Sequence, residues 1–139
     1  MKRIILLVII SVTLISCSQQ IDQKDLHNLN GYWEIEKVVM ADGTDKAYKI
    51  SETIDHFEIK KDTGFRRKVK PQFDGSYIAS PQAEQIRIVD SNAHYYLEYK
   101  MPSGTWREQI VRLTDQKLVL KNEQQVSYHY KKPIPFTQK

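Results

Sequence analysis

From Leu29 to Tyr130 the chain alternates apolar and polar residues in short runs, and turn residues break the runs at close intervals. A period of two places every second side chain on one face, so this pattern predicts half-buried strands rather than helices. Trp33, Ile35 and Val39 share a face against Glu34 and Glu36. Phe57 and Ile59 oppose Glu58 and Lys60, and Phe65 and Val69 oppose Arg66, Lys68 and Lys70. Tyr77 and Ala79 follow the Asp74-Gly75 turn, and Ile86 and Ile88 form a further short run. Tyr95, Leu97, Tyr99 and Met101 alternate with Tyr96, Glu98 and Lys100. In Trp106–Leu113 the apolar face switches, with Trp106 and Ile110 on one side and Val111 and Leu113 on the other, which predicts a bulge or twist. Leu118 with Leu120, then Val126, Tyr128 and Tyr130, complete the series.

The pattern amounts to about nine short strands. The turns between them are short, so sequence neighbours should pair antiparallel. A meander of this length must hide its two edges, and closure into a barrel does so. The expected fold is therefore all-β, an antiparallel up-and-down meander closed into a small barrel of about 8–9 strands. Asp45 to Glu52 is the one stretch with a loose helical pattern, with a loop or single turn as the alternative. Asp42-Gly43-Thr44-Asp45 lacks the rest of a calcium-loop pattern and reads as a turn.

The first residues differ in kind. Lys2 and Arg3 precede an apolar run from Ile4 to Ile15, and Ser16-Cys17 follows. A positive start, an apolar centre and a small residue before the cut make a secretory signal peptide. The apolar run is too short for the roughly 20 residues of a spanning helix. Leu14-Ile15-Ser16-Cys17 resembles the lipobox of bacterial lipoproteins. The resemblance implies cleavage after Ser16, lipid on the Cys17 sulfur and acylation of the new amino terminus, palmitate being one such acyl group. Cys17 is the single cysteine of the 139-residue chain, which excludes an intrachain disulfide. The expected organisation is a removed signal over 1–16, a lipidated Cys17 with a flexible tether over 17–28, and one domain over 29–139. The expected location is a bacterial cell envelope, lipid-anchored to a membrane, with the periplasmic face of the outer membrane favoured.

Gly31-Tyr32-Trp33 at the start of the first strand is similar to the Gly-x-Trp motif of lipocalins and lipocalin-like proteins. With the Trp106 strand, the Leu118–Leu120 strand and the Tyr128-His129-Tyr130 end, Leu29 to Tyr130 resembles the small lipocalin-like lipoproteins of Bacteroidetes-type bacteria. The resemblance implies that Gly31 lets the chain bend under the barrel and that Trp33 caps the bottom of the core. It also implies a late arginine packed over that indole, for which Arg112 is the candidate. The domain is shorter than a typical lipocalin, so the resemblance leaves a roomy ligand cavity open.

Catalytic signatures are not found. His27, His56, His94 and His129 lie one to a segment, without the paired spacing of a zinc site. No Gly-x-Ser-x-Gly elbow or glycine-rich phosphate loop occurs. The formal net charge is +4, and two of those charges, Lys2 and Arg3, lie in the leader, which leaves too little basic excess for nucleic acid. No enzyme activity, cofactor or metal is expected. Arg66, Arg67, Lys68 and Lys70 make a basic run that reads as a charged surface, either meeting anionic headgroups or guarding an edge. Trp33, Phe57, Tyr95, Leu97, Tyr99, Trp106, Tyr128 and Tyr130 are the candidates for a ligand-facing or core-facing surface. The expected function is non-enzymatic binding of a small apolar ligand or an envelope protein. The alternative is a structural or protein-interaction module with a filled core.

Overall fold

The computed structural model describes residues 20–49 and 51–135. The expected signal peptide and Cys17 lie outside them. A 3-10 helix, Gln23–Leu29, leads into nine strands: β1 Gly31–Val39, β2 Asp45–Ala47, β3 Ile54–Lys60, β4 Thr63–Pro71, β5 Tyr77–Ser91, β6 His94–Met101, β7 Gly104–Leu113, β8 Lys117–Asn122 and β9 Ser127–Lys131. Strands β3 to β9 pair in chain order, and β9 returns to β1, with Ile35 opposite Tyr130 and Val38 opposite Tyr128. The start of β1 pairs with β3 through Gly31↔Phe57 and Trp33↔Asp55. Eight antiparallel strands thus close a barrel, which removes the edges of the meander itself. Strand β2 is extra: it lies on the far half of β1, with Lys37 opposite Ala47.

The strand partition differs from the sequence reading in two places. Tyr77–Ala79 and Ile86–Ile88 are one long strand, β5. Pro81 is tolerated inside it because β6 pairs with β5 only from Gln85 onward, so the proline faces no β6 donor requirement. The helical stretch expected over Asp45 to Glu52 instead begins with β2. Its few apolar residues have no helix face to bury, while the edge of β1 offers backbone partners, including Glu36 O for Tyr48 N at 2.9 Å. The bulge expected in β7 is present between Ile110 and Arg112. Asp42 and Asp74 each accept bonds from the backbone and hydroxyl two residues on, so both Asp-Gly sites are turns.

Trp33 is the centre of the closed end. It is fully buried among Leu29, Phe57, Leu97 and Leu118. Its Nε1 donates to Leu29 O at 2.9 Å, so the indole holds the helix terminus against the barrel. Gly31 has φ +112°, a conformation that favours glycine, and it makes the bend between helix and strand. Asn30 exchanges two hydrogen bonds with the backbone of Ile59, tying that bend to β3. The cation on the indole is Lys132, with Nζ 3.8 Å from the ring centroid, and not Arg112. Arg112 is exposed, because the bulge in β7 leaves its position on the outer face.

The segment expected as a tether is also revised. Leu26 and Leu29 stand one turn apart on the 3-10 helix, where i and i+3 align, and Leu26 and Ile21 pack against the core. A chain starting at Leu29 is therefore expected to be less stable than one starting at Gln20 by about 1–3 kcal/mol, the scale of one buried aliphatic side chain. Urea denaturation of the two proteins measures this. Superimposed curves would return residues 20–28 to the role of a tether.

Candidate functional site

The barrel is filled at the helix-covered end and hollow at the other. Residues alternate in and out along each strand, and the inward positions near the open end are unusually polar. On β3 the inward series is Asp55, Phe57 and Ile59, and on β4 it is Arg66 and Lys68. Register places Asp55 opposite Lys68 and Phe57 opposite Arg66. The Lys68 ammonium makes an ion pair with Asp55, whose side chain is buried. The ion pair is made to Asp55 Oδ1, which has no other donor among the described residues.

Arg66 organises the centre. Its side chain is 12% exposed, its Nε is bonded to Glu84, and its Nη1 lies 3.3 Å from the Tyr99 hydroxyl and 3.4 Å from Glu108 Oε1. The guanidinium carbon stands 4.3 Å from the Tyr99 ring centroid, within cation–π range. Burial opposes the Arg66 charge, but Tyr99, Glu84 and Asp55 outweigh it and hold the group firmly protonated. Burial pushes the Glu108 carboxyl above the usual range, with Arg66 and Tyr99 pulling partly the other way. Tyr99 and Tyr130 are raised well above the ordinary phenol, first by burial, with Arg66 pulling both the other way and Glu108 and, for Tyr130, Asp55 adding to the rise. Both phenols therefore stay neutral at physiological pH and can donate, Tyr99 to Glu108 and Tyr130 to Asp55.

Above this floor lies a cavity of about 570 Å³, within the usual range for small-molecule sites. Trp33, Ile35 and Tyr130 form its lower wall, while Tyr128, Tyr48 and Trp106 stand higher. Trp106 stacks on Tyr99 with centroids 5.2 Å apart and is 37% exposed, which puts an indole face at the mouth. A depression of about 780 Å³ beside the 3-10 helix is lined by His27, Asn30 and Tyr95. It lies on the outside of the closed end and contains none of the buried charges.

An eight-stranded antiparallel barrel, capped by a helix at one end, closed over a Gly-x-Trp entry and open onto a cavity at the other, is one side of the identification. The other is the sequence itself: residues 29–120 match the family model of the lipocalin-like domain. The chain belongs to the lipocalin-like domain family. Among solved structures it is similar to a lipocalin-like protein from Bacteroides uniformis, at 15% identity and TM-score 0.49, over 76% of this chain and 99% of that one. An uncharacterized protein from Bacteroides eggerthii gives 15% and 0.47 over the same shares. Lobster apocrustacyanin A1 gives 10% and 0.46 over 79% of this chain and 63% of that one. No curated protein sequence matches the chain.

The lipocalin-like barrel brings the eight aromatic and apolar candidates to its inner face, at two levels. Phe57, Leu97 and Tyr95 lie toward the closed end and serve the core, whereas Tyr99, Trp106, Tyr128 and Tyr130 surround the hollow half and Trp33 separates the two. The basic run is corrected. Arg66 and Lys68 point inward, Arg67 points outward and stacks on Phe65 at 5.0 Å, and Lys70 is exposed near the end of β4. Phe65 and Val69, expected inside, are outside. They pack in a second apolar layer, Val69 opposite Ile54 and Phe65 edge-on to His56. With both faces of β4 partly covered, hydrophobicity alone does not tell inside from outside.

Sequence reasoning missed Asp55, Glu84 and Glu108. The signal for two of them was parity: Asp55 is in phase with Phe57, and Glu108 with Trp106 and Ile110. The four histidines do not converge. His27 Nδ1 bonds Lys24 O, His56 stacks on Tyr32, and His94 lies near Gln109. His129 faces outward on β9, in the opposite phase to Tyr128 and Tyr130.

Proposed function

We propose that this lipocalin-like protein is a non-enzymatic binding protein that holds a small molecule in the open half of its barrel and is anchored in a bacterial envelope through lipid on Cys17. The observation that carries the binding reading is the contrast between the two halves. The closed half is filled by Trp33, Phe57, Leu97 and Leu118, while the open half keeps about 570 Å³ with the half-exposed Trp106 at its mouth. A barrel of about eight strands has only just enough interior to hold its own side chains or one small ligand. A purely structural module would gain by packing that space.

The site is not uniformly apolar. Ligand-facing aromatic rings lie over buried charge, which supports an amphipathic occupant rather than a plain hydrocarbon, a refinement of the apolar ligand expected from sequence. The neutral dye N-phenyl-1-naphthylamine probes the apolar part of the cavity. It is expected to bind saturably at one equivalent and to raise the melting temperature. Val38→Trp, which places a large ring on the cavity wall, should abolish binding while leaving the fold intact. Dye binding unaffected by that substitution would place the site elsewhere.

The anchor is supported by the lipobox resemblance at Leu14–Cys17. One acyl chain anchors marginally and two or more anchor stably. Cys17→Ser is therefore expected to shift the protein from the membrane fraction to an unprocessed or soluble form. Labelling with a clickable palmitate analogue checks the same point. A Cys17→Ser protein that is processed and still sediments with membranes would contradict the anchor.

A further inference from the structure

We infer that the occupant of the open half carries a cationic head, an organic amine on a flat or apolar body, with the ammonium seated at Glu108 beneath the Trp106 indole. This rests on the small-ligand reading and specifies its chemistry.

The argument is a charge count. Five charged side chains are gathered at the floor of the hollow half, Asp55, Glu84 and Glu108 against Arg66 and Lys68, while higher on the wall Arg107 and Glu123 offset each other. Lys68 is matched by Asp55. Arg66 is matched by Glu84, which takes its Nε, and Glu108 lies farther off on Nη1 at 3.4 Å. One carboxylate is thus in excess, and Glu108 is the one with the looser contact. Burying a charge without full compensation is costly. The raised pKa of Glu108, caused first by burial, is consistent with that deficit.

A second observation points the same way. Asp55 is 2% exposed and lines the cavity, and the only cation on its Oδ1 among the described residues is the Lys68 ammonium. Its one cation, Lys68, has a side chain 58% exposed, so the ammonium can move toward the mouth and admit another donor. An anion finds the opposite conditions, since both inward cations already face carboxylates. The walls complete the match. Trp106, Tyr128 and Tyr130 line the cavity with the carboxylates, and aromatic rings attract cations in a desolvated site. An ammonium has three donors for oxygen acceptors and supplies the single missing charge.

The test uses three probes that share an indole and differ only in the head: tryptamine, tryptophol and indole-3-acetate, titrated calorimetrically into the folded protein. Tryptamine is expected to bind about tenfold or more tighter than the other two. In Glu108→Gln the amine should bind within about twofold of the alcohol. A second readout needs no variant. Glu108 faces Asp55 on β3, Arg66 on β4, Glu84 on β5, Tyr99 on β6, Asn122 on β8 and Tyr130 on β9. Arrival of an ammonium favours its ionised form, so tryptamine should release a proton at a pH where the free carboxyl is partly protonated, and tryptophol should not. Heats measured in buffers of different ionisation enthalpy reveal that proton. Should Glu108→Gln fail to fold, proton release decides. Tightest binding by indole-3-acetate, equal binding of all three, or amine binding without proton release would overturn the cationic head and leave the small-ligand reading in place. If neither the indoles nor N-phenyl-1-naphthylamine binds, the small-ligand reading itself falls.

Discussion

Trp33→Ala is expected to cost about 3–5 kcal/mol, the range for removing a buried large aromatic, and so to unfold much of the population at physiological temperature. Domains of this size are held by roughly 5–15 kcal/mol. The indole is fully buried, so its removal leaves a void at the meeting point of helix and barrel. The Leu29 carbonyl loses its donor at 2.9 Å, and Lys132, 3.8 Å from the ring, loses its aromatic partner. That lysine is already disfavoured in its charged form by burial. Trp33→Phe keeps part of the packing but not the hydrogen bond and should fall between the two. Trp106→Ala should cost much less, because that ring is at the mouth. Chemical denaturation of the three variants checks the order, and equal losses at Trp33 and Trp106 would contradict the placement of the closed end.

Arg66→Met should have an effect of similar size for an electrostatic reason. Removing one member of a buried charge network typically costs about 3–5 kcal/mol because the remaining charges lose compensation. Here Glu84 and Glu108 would both be left facing each other and Asp55. The loss should depend on pH in a defined direction. The folded-state pKa of Glu108 is raised, so the fold binds that proton more tightly than the unfolded chain does. Such a group favours folding fully below its unfolded pKa, and the advantage disappears as pH rises through the folded value. Arg66 lowers the Glu108 pKa in the native protein, so its removal moves the folded value up and widens that window. The variant should therefore recover stability relative to the native protein as pH falls from about 8 to about 5. Adding Glu108→Gln should restore part of the loss at neutral pH. Urea denaturation at the two pH values measures both effects, and a deficit independent of pH would mean that packing, not charge, explains the role of Arg66.

Much of the barrel was legible because the alternation that builds half-buried strands is written residue by residue. Trp33, Leu97 and Ile110 could be assigned inward from parity alone, and the β7 bulge showed as a change of phase between Ile110 and Val111. The charged floor was not legible for the same reason. Alternation separates apolar from polar, so it does not single out Asp55 and Glu108, polar residues on the inward phase. On β4 the rule gave the wrong face, since Phe65 and Val69 are covered by an outer layer with His56 and Ile54. The N-terminal helix was hidden by its length. Ile21, Leu26 and Leu29 are too few for a helical period, and their order comes from the barrel end they cover. The same applies to Lys132, which reaches Trp33 only after β9 has closed the barrel.

The two tryptophans permit one direct measurement of the binding account. Nitrogen-15 labelled protein has two indole N–H resonances, and N-phenyl-1-naphthylamine or tryptamine is added to it. The Trp106 resonance, on an indole exposed at the mouth, should shift saturably at one equivalent, together with backbone amides of Tyr128 and Glu108. The Trp33 N–H, bonded to Leu29 O, should remain protected from solvent exchange throughout. A Trp106 resonance that stays fixed under both probes, or shifts confined to the outer layer around Phe65 and Val69, would contradict a ligand site in the open half of the barrel.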